Sequence, residues 1–152
     1  MDFVKSLERL EANLSGLYSV LYSMKIFSQE TKLVFQKIAM DSMEHEQLLK
    51  LLEPKLKSYS GAVSEEALAL AEDIAKRALE LKDRAPKMTF KEIFEELRQL
   101  EKGEEIAYEI YKKIFEEASL KNDELLKIIL SGIIEDEDAH DRLLMFLFES
   151  YK

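Results

Sequence analysis

The C-terminal part of the chain contains Glu137-x-x-His140 at positions where the surrounding pattern calls for apolar side chains. Steps of three and four residues give one stripe, namely Leu126, Leu130, Ile133, Glu137, His140, Leu144, Leu147 and Tyr151. Such a stripe is typical of the buried face of an amphipathic helix. A carboxylate and an imidazole on that face are unfavourable unless they meet each other, a hydrogen-bonding partner or a metal ion. The pair therefore predicts partner groups elsewhere in the chain.

Three further segments carry a polar interruption near the middle of an otherwise apolar stripe. If all the interruptions lie at one level of a helical bundle, five side chains converge on one buried point. These side chains are Glu11, His45, Glu104, Glu137 and His140. Three carboxylates and two imidazoles form a ligand set that suits iron, manganese or zinc. The sequence therefore predicts a metal site.

The composition favours a single all-α domain over residues 1–152. Hydrophobic residues make up 47% of the chain and charged residues 35%, with four glycines and two prolines. A β-rich fold normally needs more turn residues than this. A chain of this length can bury one sizeable core but not two.

Charge and cysteine content exclude several classes of function. The net charge is −9 and no helix face gathers Lys and Arg, so we expect neither nucleic acid nor an anionic membrane as a partner. Cysteine is absent, which excludes disulfides, thiolate metal sites and a rubredoxin-type iron centre. No signal peptide and no membrane-spanning apolar run is recognisable, so a cytoplasmic protein is expected.

Helical periodicity predicts two helix pairs joined by a long connection. The first pair covers 2–57, the crossover covers 58–89 with its own helix over 65–83, and the second pair covers 90–151. Short turns within each pair and one long crossover fit an up-down four-helix bundle with an extra helix.

Several boundaries of these helices can be predicted. The first helix should extend to about Phe27, with Ser28 as the N-cap of the second helix. Pro54 should kink or end that second helix. Ser64 should cap the crossover helix, and Thr89-x-x-Glu92 has the pattern of a capping box.

The two helix pairs also align with each other as a diverged repeat. Asp41 and His45 align with Asp136 and His140, each Asp preceding its histidine by four residues. In the helices before them, Glu11 aligns with Glu104, and each is followed by a tyrosine two turns on, Tyr18 and Tyr111. We interpret the two tyrosines as core aromatics.

On these motifs the chain resembles the ferritin-like superfamily, and within it the rubrerythrin-type diiron-carboxylate proteins. Their pattern is a Glu on each of two helices and Glu-x-x-His on each of the other two. Glu104 and Glu137-x-x-His140 match the second half of that pattern, and the resemblance covers essentially the whole chain.

The resemblance implies one or two iron ions per chain, with manganese or zinc as alternatives. With two ions, Glu137 would bridge them, Glu104 and His140 would bind one ion, and Glu11 and His45 would bind the other. It further implies that Asp41 accepts a hydrogen bond from His140 and Asp136 one from His45. The implied activity is reduction of oxygen or peroxide with electrons from another protein or from ferrous iron, in a homodimer.

The first half of the chain departs from the family pattern. Ser42 stands where the family has its second-helix Glu. Glu11 lies on a helix that has a rival, wholly apolar stripe: Phe3, Leu7, Leu10, Leu14, Leu17, Leu21 and Met24. If that stripe faces the core, Glu11 turns away, and a wide apolar face would suit a dimer contact. The alternatives are a degenerate bundle that binds one metal ion or acts as a dimeric scaffold, and a helical partner-binding module in which these side chains do not converge.

Overall fold

A computed structural model describes residues 2–151 of the chain. Five α-helices form most of this range: α1 (Phe3–Ser23), α2 (Gln29–Leu56), α3 (Glu65–Arg84), α4 (Phe90–Leu120) and α5 (Glu124–Ser150). Two short 3-10 helices follow α2 and α3, at Lys57–Ala62 and Ala85–Lys87. Residues 2–151 contain no β-strand, so the predicted all-α class is confirmed.

Side-chain caps fix the starts of the helices. The Ser28 hydroxyl accepts from the backbone N–H of Thr31 at 3.2 Å, and Ser64 caps α3 in the same way. Thr89 and Glu92 form the predicted capping box, with reciprocal hydrogen bonds of 2.9 and 3.2 Å. These bonds satisfy amide groups that have no partner within the first turn of a helix.

The predicted end of the first helix was wrong. The helix ends at Ser23, and Met24 is extended. Leaving the helix lets the Phe27 ring enter the core, where it packs edge-on against Phe35 at 5.0 Å between centroids and against Phe94 at 5.8 Å. Aromatic packing of this kind outweighs the few backbone hydrogen bonds of one more helical turn.

The first residues of the crossover, directly after α2, are also helical. Pro54 lies within the last turn of α2, which ends at Leu56, and the chain continues as the 3-10 helix Lys57–Ala62. Tyr59 in this 3-10 helix is buried and donates from its hydroxyl to Asp123 at 3.2 Å. The contact ties the end of α2 to the start of α5.

Helix α1 packs against two neighbours at once, α2 and α3. This resolves the choice between its two stripes, because both are buried. The apolar stripe residues Phe3, Leu7, Leu10, Leu14, Leu17 and Leu21 are in the core, and so is Glu11. The wide apolar face of α1 therefore contacts α3, and it gives no support to a dimer contact.

Helix α3 joins the two helix pairs, since it contacts both α1 and α4. The side-chain amide of Asn13 donates to the Ala75 carbonyl at 2.8 Å, which links α1 to α3. On the other side, Gly103 lies so close to α3 that a Cβ there would lie 1.9 Å from Cδ1 of Ile74. Because Gly103 precedes Glu104, this close packing fixes α4 at the level of the candidate site.

Candidate metal centre

His45, at the middle of α2, lies between two carboxylates. Its Nδ1 is 3.1 Å from Oε2 of Glu11 and 3.3 Å from Oε1 of Glu137. One ligand atom from each of these three residues lies within 4.8 Å of the others, a spacing that allows one metal ion to be held between them. His45 is 0% and Glu11 1% exposed, so these two residues are closed to water, whereas Glu137 is partly exposed.

Glu137 turns its second carboxylate oxygen toward the other histidine. Oε2 of Glu137 is 3.9 Å from Nδ1 of His140. The two imidazole rings are inclined by 27° with centroids 6.3 Å apart, and the carboxylate faces both. One oxygen of Glu137 is thus directed to each histidine, as a carboxylate that bridges two ions would require.

The outer nitrogens of both rings are held by aspartates of the opposite helix pair. His45 donates from Nε2 to Asp136 at 2.8 Å, and His140 donates from Nε2 to Asp41 at 2.7 Å. Both predicted contacts are therefore present. Each aspartate fixes the orientation of its ring, so that Nδ1 of both rings lies on the side of Glu137.

Glu104 lies beside the group without joining it. Its side chain is partly exposed and forms no hydrogen bond or ion pair with any of residues 2–151. Burial, followed by the negative charges of Glu137 and Glu101, raises the pKa of Glu104 well above its usual range. The structure thus brings Glu11, His45 and Glu137 into direct contact and leaves Glu104 unpaired at their edge.

Crowding of these groups changes their protonation. Burial and the charge of Glu137 raise the pKa of Glu11 to about 7. Burial lowers the pKa of His45, but hydrogen bonds to Glu11 and Glu137 outweigh it and raise the pKa to about 11. In the metal-free protein the His45 imidazolium is therefore the positive charge between the carboxylates.

Ser42 lies one turn before His45 and is 1% exposed. Its hydroxyl is too short and too weak a ligand to replace the carboxylate of the family pattern. As a result α2 carries one candidate ligand, His45, whereas α5 carries two, Glu137 and His140.

The tyrosines of the repeat are core aromatics, as predicted. Tyr18 and Tyr111 are fully buried, and Tyr18 packs against Phe35 at 5.8 Å between centroids. Neither hydroxyl has a hydrogen-bond partner among the described residues. Burial, followed by the charges of Glu104 for Tyr18 and Glu11 for Tyr111, raises the pKa of both phenols.

Sequence reasoning missed Glu101, one turn before Glu104 on α4. Burial, followed by a hydrogen bond to Asp141 and its charge, raises the pKa of Glu101 to about 8. A signal was available, because residues three apart on a helix share a face and Glu101-x-x-Glu104 aligns with Glu8-x-x-Glu11.

Comparison with protein-family models, with curated proteins and with solved structures finds no significant match. The likeness to the ferritin-like superfamily therefore rests on the residues quoted above. Within residues 2–151, none of the helices combines the length and apolar character that crossing a membrane would need.

Proposed function

We propose that this chain is a ferritin-like helical protein that binds iron between α1, α2, α4 and α5. The observation that carries the proposal is the buried group of Glu11, His45 and Glu137, with its ligand atoms within 4.8 Å of one another. Two carboxylates in a largely buried position are unfavourable unless a positive charge compensates them, and a bound metal ion would supply that charge in place of the His45 proton.

The chemistry of the side chains fits a metal ion of intermediate hardness. Carboxylate oxygens and imidazole nitrogens suit iron, and also manganese and zinc. Each histidine is oriented by an aspartate at its far nitrogen, an arrangement that accompanies most metal-binding histidines. The unpaired carboxylate of Glu104 and the unpaired hydroxyls of Tyr18 and Tyr111 lie around the same level.

Two ions are supported by the orientation of Glu137. Glu11 and His45 would hold one ion, Glu104 and His140 the other, and Glu137 would bridge them. Bound iron would supply the change of oxidation state needed to reduce oxygen or peroxide. The electrons would come from a separate donor protein or from ferrous iron, because the chain has no cysteine for a second iron centre.

A second candidate function is a bundle that binds one ion without redox catalysis. Ser42 favours it, since α2 lacks the second bridging carboxylate. The compact group also contains three residues rather than five. The homodimer remains a prediction under either function.

Metal content tests the proposal. The purified chain would be stripped with a chelator, supplied with ferrous salt without oxygen, desalted and analysed for iron. Two ions per chain support the bridged site, one supports the single-ion bundle, and none contradicts metal binding. Glu137→Ala should lose iron, whereas Glu135→Ala, an exposed carboxylate on the same helix, should bind as the unmodified chain does.

A further inference from the structure

The candidate metal centre is sealed on one side and accessible on another. Glu11 and His45 are closed off by the packing of α1 and α2. On the opposite side Glu104, Glu137 and His140 line a cleft of about 260 Å³ between α4 and α5. A path therefore leads from the surface to the centre along the second helix pair.

The mouth of this cleft carries uncompensated negative charge. Glu105, Glu109 and Asp138 line it and are exposed. None of the three forms an ion pair with a described residue, and no Lys or Arg is among the residues that line the cleft. Apart from Tyr108 and His140, all the side chains that line the cleft are therefore carboxylic acids.

The inner end of the cleft presents a ligand atom. His140 lines the cleft although it is 5% exposed, and Nε2 of its ring is held by Asp41. Among the described residues its Nδ1 has no hydrogen-bond partner, the nearest carboxylate oxygen of Glu137 being 3.9 Å away. Exposed acids at the mouth therefore lead to the buried imidazole of His140, a potential metal ligand.

The acidic residues of the cleft should attract cations toward the candidate metal centre. A cleft lined by one sign of charge between low-dielectric walls concentrates ions of the opposite sign and raises their rate of association. We propose that the cleft between α4 and α5 is the route by which a divalent cation enters the centre, and that the carboxylates at its mouth set the rate of entry. The inference rests on the proposed metal binding and adds the path and its selectivity for cations.

The test compares two double variants that remove the same charge from α4. Glu105→Gln with Glu109→Gln neutralises the mouth, and Glu116→Gln with Glu117→Gln neutralises two exposed acids further along the same helix. Association of Co²⁺ would be followed by stopped-flow absorption of the metal-stripped protein. At an ionic strength of about 0.1 M, where screening acts over about 10 Å, the mouth variant should bind about 3–10 times more slowly than the unmodified chain.

Measurements at high ionic strength and with the control variant test whether the effect on the rate is electrostatic and specific to the mouth of the cleft. At about 1 M salt, where the screening length falls to about 3 Å, the difference should disappear. The Glu116/Glu117 variant should keep the unmodified rate at both ionic strengths. If the unmodified chain binds Co²⁺ and both variants associate with it equally fast, the proposed entry route is wrong but the metal centre is not. Failure of the unmodified chain to bind Co²⁺ or ferrous iron would overturn the metal centre and the route with it.

Discussion

His140 donates a hydrogen bond from Nε2 to Asp41 at 2.7 Å, joining α5 to α2 across the protein. Lys37 pairs with the same aspartate at 2.9 Å, and these contacts, after the opposing effect of burial, lower the pKa of Asp41. His45 and Asp136 form the matching contact in the other direction at 2.8 Å. Each helix pair thus orients the histidine of the other, which makes both pairs necessary for the centre.

Removing one of these aspartates should weaken metal binding without removing a ligand. Asp136→Ala frees the His45 ring to rotate and to change tautomer, so we expect the affinity for Co²⁺ to fall about 10–100-fold by calorimetry. Glu135→Ala, at the exposed acid one residue earlier, is the matched control and should leave the affinity unchanged. An unchanged affinity in Asp136→Ala would show that the contact does not support the centre.

Metal binding should release protons and strengthen as the pH rises. The pKa of His45 is raised to about 11, so its Nδ1 carries a proton at neutral pH that an incoming ion must displace. Between pH 6 and 8 the affinity should therefore rise about tenfold per pH unit for each proton displaced. Below pH 7 the rise should be steeper, because Glu11, with its pKa raised to about 7, loses a proton as well.

Calorimetric titration with Co²⁺ in two buffers of different ionisation enthalpy measures this release directly. His45→Gln cannot carry the proton, so its affinity should be lower and depend less on pH. A pH-independent affinity in the unmodified chain would place the metal away from His45.

Restoring the missing carboxylate should raise metal occupancy. Ser42→Glu places a carboxylate on α2 one turn before His45, at the position where the family pattern has its second-helix Glu. In the metal-free protein the added buried charge should destabilise the fold, since an unpaired ion in the interior costs several kcal/mol. With iron present, the variant should bind closer to two ions per chain by elemental analysis.

A control variant distinguishes the effect of position 42 from the effect of adding a carboxylate to α2. Met43→Glu adds the same group to the neighbouring position, which is exposed, and should change neither stability nor iron content appreciably. Loss of iron from Ser42→Glu would indicate that position 42 does not face the ions.

Much of this arrangement follows from short-range sequence rules. Spacings of three and four residues placed His45, Glu137 and His140 on the inward-facing sides of their helices, and each spacing can be recognised within a single helix. The pairing of each aspartate with the histidine of the other helix pair came instead from the resemblance to diiron-carboxylate proteins.

Properties that depend on how three helices meet were harder to predict. The stripe that contains Glu11 and the wholly apolar stripe of α1 were treated as alternatives, on the assumption that α1 has one buried face. Contacts with both α2 and α3 bury two faces of α1. The end of α1 was missed because Phe27 leaves the helix to pack against Phe35 on α2 and Phe94 on α4. In both cases a tertiary contact overrides the local pattern.

The protonation of Glu101 should make the fold less stable at alkaline pH. Its pKa is raised from 4.5 to about 8, so the folded state holds a proton that the unfolded chain releases earlier. The corresponding stability is present below pH 4.5 and is lost as the pH rises through about 8. Glu101→Gln keeps a donor toward Asp141 but cannot ionise, so it should gain stability relative to the unmodified chain between pH 6 and pH 9.

Urea denaturation at the two pH values measures that gain. Glu116→Gln, an exposed residue further along the same helix, removes an equal charge and serves as the control, with the same effect expected at both pH values. A relative stability of Glu101→Gln that falls with pH would contradict the assigned shift.

Two glycines in helices should respond in opposite ways to alanine. Gly132 on α5 is exposed and its added Cβ meets nothing within 4 Å, so Gly132→Ala should stabilise the protein by about 0.5–1 kcal/mol through helix propensity. At Gly103 the added Cβ would lie 1.9 Å from Cδ1 and 2.3 Å from Cγ1 of Ile74. Overpacking of this kind costs about 1–3 kcal/mol and should outweigh the propensity gain.

Chemical denaturation of both variants, together with Gly103→Ala in an Ile74→Ala background, tests the close contact between α3 and α4. Because the Ile74 side chain is the obstacle, the double variant should be more stable than the sum of the two single effects predicts. The iron content of Gly103→Ala should fall as well, since α4 must move away from α3 and carries Glu104 with it. Stabilisation of similar size at both glycines would show that α3 does not set the position of α4.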